Sequence, residues 1–406
     1  MIPGYVARNS FCMSESELDL DLKRSIGSRK NALIVKFGQI GDVIMAIPAV
    51  HALHQQGFDI HWVCGKTVQP LLECYSWINL IPADDKAILS GKTFRRVRSI
   101  IALWSQIAFR SCDLSAVLYY DRRYRLLTFP VRARRKMALS QELRATSLVA
   151  GRHHTDEYLR ILLGNEDSCR DQSAPPVPPD HLPPSPWDAK SSPRRIAIVP
   201  GGAGYLVRHQ PLSHPAEPAA VRRWPIDNYV TLARRLLDRG WEVVLLGGPE
   251  DAWATPHFQQ LVVTDCIGAL SLPEVISACD ACDAVISHDT GPLHLAGLSK
   301  ACLVGIFGPT NPATFLPRRP YVTGIWGGQG FACRPCYDGR DFAPCHFNGC
   351  MHQVTHELVL RELDQLLDDR SKGISSAWRI VSPYESSLPD NSAVDSTLGK
   401  TLSILE

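Results

Sequence analysis

Short apolar runs, each followed by a glycine-rich turn and then by a segment with apolar residues every three or four positions, recur along the chain. Such a run of period two or less, joined to a run of period 3.6, predicts a strand feeding a helix. Residues 32–36 form the first strand, Phe37-Gly-Gln-Ile-Gly-Asp42 the turn, and residues 43–53 the helix. The pattern restarts with a strand at 195–199, a Pro-Gly-Gly turn containing Gly202, and a helix over 226–239 closed by Gly240. A strand follows over 241–246 and ends in Gly247-Gly-Pro-Glu250, and another over 284–286 ends in a polar turn and a new helix. Strands alternating with helices at this spacing predict parallel sheets covered on both faces, which bind ligands at the carboxyl ends of their strands. Every glycine-rich turn sits at such an end.

The stretch 285–296, Val-Ile-Ser-His-Asp-Thr-Gly-Pro-Leu-His-Leu-Ala, is the most specific of these turns. Asp289 or Thr290 is expected to cap the helix, and Pro292 suits its first turn, where no amide proton is needed. Gly291 permits close approach of a ligand, and the free N–H groups favour an anion such as a diphosphate. His294 is expected to face the same place.

Between the halves, residues 173–193 are so rich in proline that neither a helix nor an inner strand is open to them. The expected organisation is a polar extension at 1–30, one domain at 31–172, this linker, a second domain at 194–370 with a cysteine-rich loop at 331–351, and a polar tail at 371–406. A chain of 406 residues with 45% apolar content can fill two cores. A net charge of +2 gives no general argument for nucleic acid, and no run of about 18 apolar residues predicts a membrane span. No leader-like apolar segment stands near the start, so a cytoplasmic, reducing setting is expected, where the 13 cysteines stay unpaired. Cys64, Cys279, Cys282 and Cys302 lie in apolar runs and read as core residues.

Taken in order, Phe37-Gly-Gln-Ile-Gly-Asp-Val43 with Ile47-Pro48, Arg222-Arg-Trp-Pro225, Leu245-Leu-Gly-Gly-Pro-Glu250, and Asp289-Thr-Gly-Pro-Leu-His294 with Phe307-Gly-Pro-Thr310 resemble glycosyltransferase family 9, the heptosyltransferases. The resemblance covers roughly residues 31–370. It implies an α/β GT-B fold with two facing Rossmann-like domains and a cleft between them. It implies an inverting transfer of a heptose-type sugar from a nucleotide diphosphate, ADP-heptose above all, to a hydroxyl of a lipopolysaccharide core or another glycan or protein acceptor. The acceptor side would lie in the N-terminal half beside Gly38 and Gly41, with peripheral contact at the inner membrane.

Displacement of a nucleotide diphosphate needs a base for the acceptor proton and cationic or N–H groups for the leaving charge. Asp42, after two glycines at a helix start, is the candidate base that the resemblance implies; by its residues alone it is equally a helix cap. Donor binding falls to Gly202, Arg222, Glu250, Asp289, Thr290, Gly291 and His294. Arg222 stands where the family commonly has lysine, and the inserted residues 205–221 leave Arg222 and Arg223 both open as the phosphate contact. Glu250 can accept from ribose hydroxyls.

No catalytic metal is expected, since helix ends and basic side chains serve in its place, and Asp19-Leu-Asp21 reads as a solvated face. Cys333, Cys336, Cys345 and Cys350, spaced C-x2-C-x8-C-x4-C, suit a structural zinc or iron. Between Lys92 and Lys136 twelve Lys and Arg oppose only Asp113 and Asp121, around an apolar helix at 94–110. That helix reads either as lying on an anionic surface or as a core element with solvated arginines. Two other functions remain open: a nucleotide-sugar epimerase of the same fold, and a metal-stabilised scaffold that binds without turnover.

Overall fold

The computed structural model describes residues 30–108, 111–119, 122–138, 152–163, 174–187, 193–202, 221–337, 342–343, 345 and 347–383. The polar extension through residue 29, the loop 203–220 and the tail from 384 lie outside them. Strands β1 (Lys30–Val35), β2 (Phe58–Gly65), β3 (Ile78–Ala83), β4 (Ser111–Val117) and β5 (Arg132–Ala138) form one sheet in the order β3-β2-β1-β4-β5. Strands β6 (Arg195–Val199), β7 (Glu242–Leu245), β8 (Thr264–Asp265), β9 (Ala284–His288), β10 (Cys302–Phe307), β11 (Val322–Trp326) and β12 (Arg379–Val381) form the second, in the order β12-β11-β10-β9-β6-β7-β8. All pairings in both are parallel. Strands β6, β9 and β10 are buried at every residue, as continuous apolar runs under helices on both faces require.

Helices α1 (Ile40–Gln55), α2 (Gln69–Leu72), α3 (Asp85–Ser90), α4 (Thr93–Ile107) and α5 (His154–Leu163) belong to the first half. Helices α6 (Ile226–Asp238), α7 (Leu272–Asp280), α8 (Gly291–Gly297), α9 (Pro312–Phe315), α10 (Gly349–His352) and α11 (His356–Ser371) belong to the second. Gly240, at φ +72°, closes α6 as its position predicts. The second domain does not stop at residue 370, because β12 pairs with β11 and Arg379 reaches Glu362 of α11 at 2.9 Å.

Each sheet reverses its strand order once, between β1 and β4 in the first half and between β6 and β9 in the second. At such a reversal the connections diverge to opposite faces and leave a crevice at the carboxyl edge. The turn after β1 leads to Asp42, and the turn after β9 leads to Gly291. The two crevices face one another, because α1 packs on α8: Ile40 lies against Gly291, and a Cβ on Gly41 would stand 2.6 Å from Cδ2 of His294. Only glycine fits there.

Helix α5 rivets the seam. Asp156 pairs with Arg318 at 2.7 Å, and a ring nitrogen of His153 lies 3.0 Å from the carbonyl of Leu316. Burial raises the Asp156 carboxyl above its ordinary range, and the Arg318 guanidinium offsets only part of that. The remaining space, lined by Ile44, Met45, His153, His294 and Arg318, is a cavity of about 20 Å³, enough for about one water. The described part of the proline-rich segment, 174–187, carries neither helix nor strand and is fastened to both sides: Tyr75 donates to the carbonyl of Val177, Ser76 to Asp180, and Ser277 of α7 to the carbonyl of Pro183.

Candidate functional site

Asp42 occupies the third position of α1, whose N-cap is Gln39 and carries no side-chain capping bond. The carboxylate does not cap its own helix. Its Oδ2 accepts from Nζ of Lys36 at 3.0 Å, and its side chain keeps 30% of its surface open to the cleft. Lys36, the residue after β1, is buried to 3% exposure, with its ammonium 3.4 Å from the carbonyl of Leu118 and over the ring of Tyr119 at 4.3 Å. The Tyr119 hydroxyl accepts from the amides of Phe37 and Gly38 and donates to the carbonyl of Gly38. Gly38 and Gly41 therefore sit in a turn held from behind by a side chain of the β4 loop.

Burial alone would raise Asp42, but the charge of Lys36, followed by that of His154, brings its carboxyl below the ordinary range. Burial would likewise lower Lys36, yet Asp42, Tyr158 of α5 and Tyr119 drive it well above its usual value. His154 and His294 are both lowered by burial, with Asp42 opposing in part. Near neutral pH the site thus holds one buried ion pair flanked by neutral imidazoles.

On the second half the polar turn is built differently from a simple capped helix. Thr290 stands at the N-cap position, but its hydroxyl donates to the carbonyl of His288 and makes no cap bond. Asp289 does not cap either: its Oδ2 accepts from Thr310 at 2.7 Å and from Arg222 at 3.3 Å. With these groups the expected cap is replaced by a cross-loop tie. Arg222 remains partly open, with 23% of its side chain exposed, and lies over the ring of Phe342. Arg223 is buried over Trp253 at 4.2 Å, so of the two arginines Arg222 is the one facing the turn. Gly202, at φ +148°, approaches Thr290 so closely that a Cβ would fall 2.3 Å from its methyl. His294 is buried in the seam against Gly41 rather than lining an open pocket.

Glu250 is exposed on a single-turn helix, while its neighbour Asp251 is buried. The two oxygens of Asp251 accept separately from the amides of Gly202 at 2.7 Å and Gly248 at 2.8 Å. One carboxylate ties together the glycine-rich turns after β6 and β7. Asp251 and Lys36 were both missed on the sequence, although a charged residue ending an apolar strand and a second acid inside a glycine turn were visible signals. His288, its Nδ1 2.9 Å from the hydroxyl of Tyr229, is a further buried polar group of this edge.

The four loop cysteines share one neighbourhood without forming a ligand set. Burial raises Cys350 to about 12, with Cys336 and Cys345 adding to the effect, and Cys336 responds to Cys333 and Cys345 after burial. The Asn348 amide donates to the Cys345 sulfur at 3.2 Å. Among the described residues no group of three or more His, Cys, Asp or Glu is placed to hold a metal ion. No disulfide joins the described cysteines, and Cys64, Cys279, Cys282 and Cys302 are buried as expected.

Because amide oxygen and nitrogen cannot both accept, Asp251→Asn will satisfy one glycine amide and strand the other. A loss of about 1–3 kcal/mol in denaturant unfolding is expected, against less than about 0.5 kcal/mol for the exposed Glu250→Gln. Equal effects of the two would refute the tie.

Residues 206–345 match the family model described as glycosyltransferase family 9 (heptosyltransferase). Lipopolysaccharide heptosyltransferase 2 of Escherichia coli K12 is 32% identical over 104 residues, 24% of this chain and 30% of that protein. The chain thus aligns with less than a third of that relative. Lipopolysaccharide core heptosyltransferase OpsX of Haemophilus influenzae is 22% identical over 301 residues, 71% of this chain and 82% of the relative. In fold, the chain resembles E. coli ADP-heptose LPS heptosyltransferase II with a TM-score of 0.60 at 19% identity, over 84% of this chain and 99% of that one. The paired parallel sheets are those of a GT-B fold, and with the ordered turns at both strand-order reversals the chain is similar to glycosyltransferase family 9.

Proposed function

We propose that the protein is an inverting glycosyltransferase that moves a heptose from ADP-heptose to a hydroxyl of a lipopolysaccharide core. The observation that carries this reading is the facing of the two strand-order reversals, with an ionised carboxylate on one side and a cation-bearing turn on the other. Asp42 takes the proton of the acceptor hydroxyl through Oδ1, which carries no hydrogen bond among the described residues. The freed oxygen bonds to the anomeric carbon, and the bond to the diphosphate breaks with its electron pair leaving on the phosphate oxygen. Arg222, beside Asp289 and Thr310, meets that charge. Gly202, Thr290 and Gly291 let the diphosphate approach the backbone, Glu250 is exposed to receive ribose hydroxyls, and the neutral His294, buried against Gly41, supports the turn from behind instead of touching the donor. Gly38 and Gly41 border the acceptor.

Asp42→Asn is expected to cut transfer by about a hundredfold or more while leaving ADP affinity by calorimetry nearly unchanged. Near-normal turnover would remove Asp42 from the reaction. Incubation of the protein with a panel of nucleotide sugars separates the alternatives, since sugar interconversion without acceptor would mark an epimerase and binding without turnover a scaffold.

The acceptor half also meets an anionic membrane surface. Helix α4 buries only Leu103 and Ile107, and Phe94, Val97 and Ile101 project from it at helical spacing. Leu126 and Phe129 of the adjoining turn are exposed too, with Phe94 at 79% and Phe129 at 73%. One face of α4 packs Leu103 and Ile107 into the core, and the exposed Phe94, Val97 and Ile101 support the surface reading for the other. Arg95, Arg96 and Arg98 are exposed on the same helix and Arg132 and Arg134 on β5, a basic and apolar combination that suits a surface of anionic lipid. No helix among the described residues is long and apolar enough to cross a membrane. Co-sedimentation with vesicles containing phosphatidylglycerol should exceed that with phosphatidylcholine alone at least about fivefold, and Phe94→Ala with Phe129→Ala should abolish the difference. Indifference to lipid charge would dismiss the surface.

The cysteine loop takes one structural zinc or iron through Cys333, Cys336, Cys345 and Cys350. Their spacing and shared neighbourhood support this, four thiolates being a set that suits such an ion. Elemental analysis of protein purified without chelator should find about one metal per chain; well under one would leave only four thiols.

A further inference from the structure

We propose that Lys36 is the positioning residue of the transfer: by holding Oδ2 of Asp42 it turns the other carboxylate oxygen, in ionised form, toward the acceptor hydroxyl. The inference rests on the reading of Asp42 as the base and concerns a residue that touches neither substrate.

The lysine is fixed at both ends. Its main-chain amide donates to the carbonyl of Val63 at 3.1 Å, and its carbonyl accepts from the indole of Trp62 at 3.0 Å. Its ammonium has three further neighbours besides Asp42: the Leu118 carbonyl at 3.4 Å, the Tyr119 ring at 4.3 Å and the Tyr158 ring at 5.6 Å. The first two come from the loop after β4 and the third from α5, so the ammonium cannot swing without disturbing both. A lysine exposed by only 3% is expensive to bury and is found paired. Here the pairing fixes one rotamer of a carboxylate that still shows 30% of its surface to the cleft.

The charged and titratable groups around Asp42 are Lys36, His154 and His294, and those around Lys36 are Asp42, Tyr119 and Tyr158. Burial lowers both histidines. Lys36 is then the group that holds Asp42 ionised at the edge of the cleft. The same pairing weakens the carboxylate as a base, so the gain lies in orientation and in the ionised fraction rather than in driving force. Asp42, lowered in the folded protein, contributes stability above its unfolded value and loses it as pH falls through the folded one; Lys36, raised, contributes below its unfolded value and loses it as pH rises through the folded one. The pair is complete across the whole neutral range.

The test is the pH dependence of kcat/KM for transfer in full-length Lys36→Met, with ADP affinity measured in parallel. The acidic limb should move up by at least about one pH unit, and kcat at neutral pH should fall at least about tenfold. ADP affinity should stay within about twofold of the unsubstituted protein. Lys36→Arg, which keeps the charge, should keep the limb near its original place. If Lys36→Met does not fold, Lys36→Gln gives the same readout with a neutral donor in place. An unmoved limb in a folded neutral variant, whatever its thermal midpoint, overturns the proposal. Turnover surviving Asp42→Asn would instead strike the base assignment itself, so the two failures are distinct.

Discussion

Two helix starts from opposite halves meet with no side chain on one of them, and the rest of the site depends on that contact. Gly41 lets His294 of α8 lie against the backbone of α1, and Gly291 does the same for Ile40. A methyl group at Gly41 would have to displace an imidazole that is itself buried. The halves would separate, and the carboxylate and the arginine side would no longer face one cleft. Close packing here is therefore a condition of chemistry as well as of stability, because interiors tolerate little added volume.

The tight seam also sets the electrostatics. Removing water from around His153, His154, His288 and His294 lowers all four imidazoles, so a region crowded with histidine carries little positive charge of its own. Besides Asp156 with Arg318 in the seam, charge lies in two pairs at the cleft, Lys36 with Asp42 on one side and Arg222 with Asp289 on the other. The second pair is the more open of the two at its cation. An incoming diphosphate can compete with Asp289 for a guanidinium that has two carboxylate-sized faces to offer.

Much of this was legible in the chain. Strand, turn and helix alternation foretold both parallel sheets, and the position of Gly240 foretold the end of α6, because periodicity and backbone freedom are local properties. The polar turn at 289–291 was placed correctly but its bonds were not. Asp289 turns away from its helix because Thr310, twenty-one residues later, and Arg222 lie across from it, and no local rule contains such partners. Asp251 escaped for the same reason: its two bonds reach turns that follow different strands. Lys36 looked like the polar end of a strand, and only β4 and α5, assembled around it, make it a buried cation. The strand β12 was hidden in a polar stretch because an edge strand of three half-buried residues has almost no pattern to show.

The linker has a mechanical consequence. Among its described hydrogen bonds, the last to the first half runs from the His181 amide to the carbonyl of Cys74, and the first to the second half is Pro183 against Ser277. Only one residue stands between those anchors, and two extended steps of chain span at most about 7 Å. While both bonds last, the edge where α2 meets α7 stays shut, like the spine of a book. Any widening of the molecule must then be a rotation about that spine, largest at the far margin and smallest beside residues 180–183.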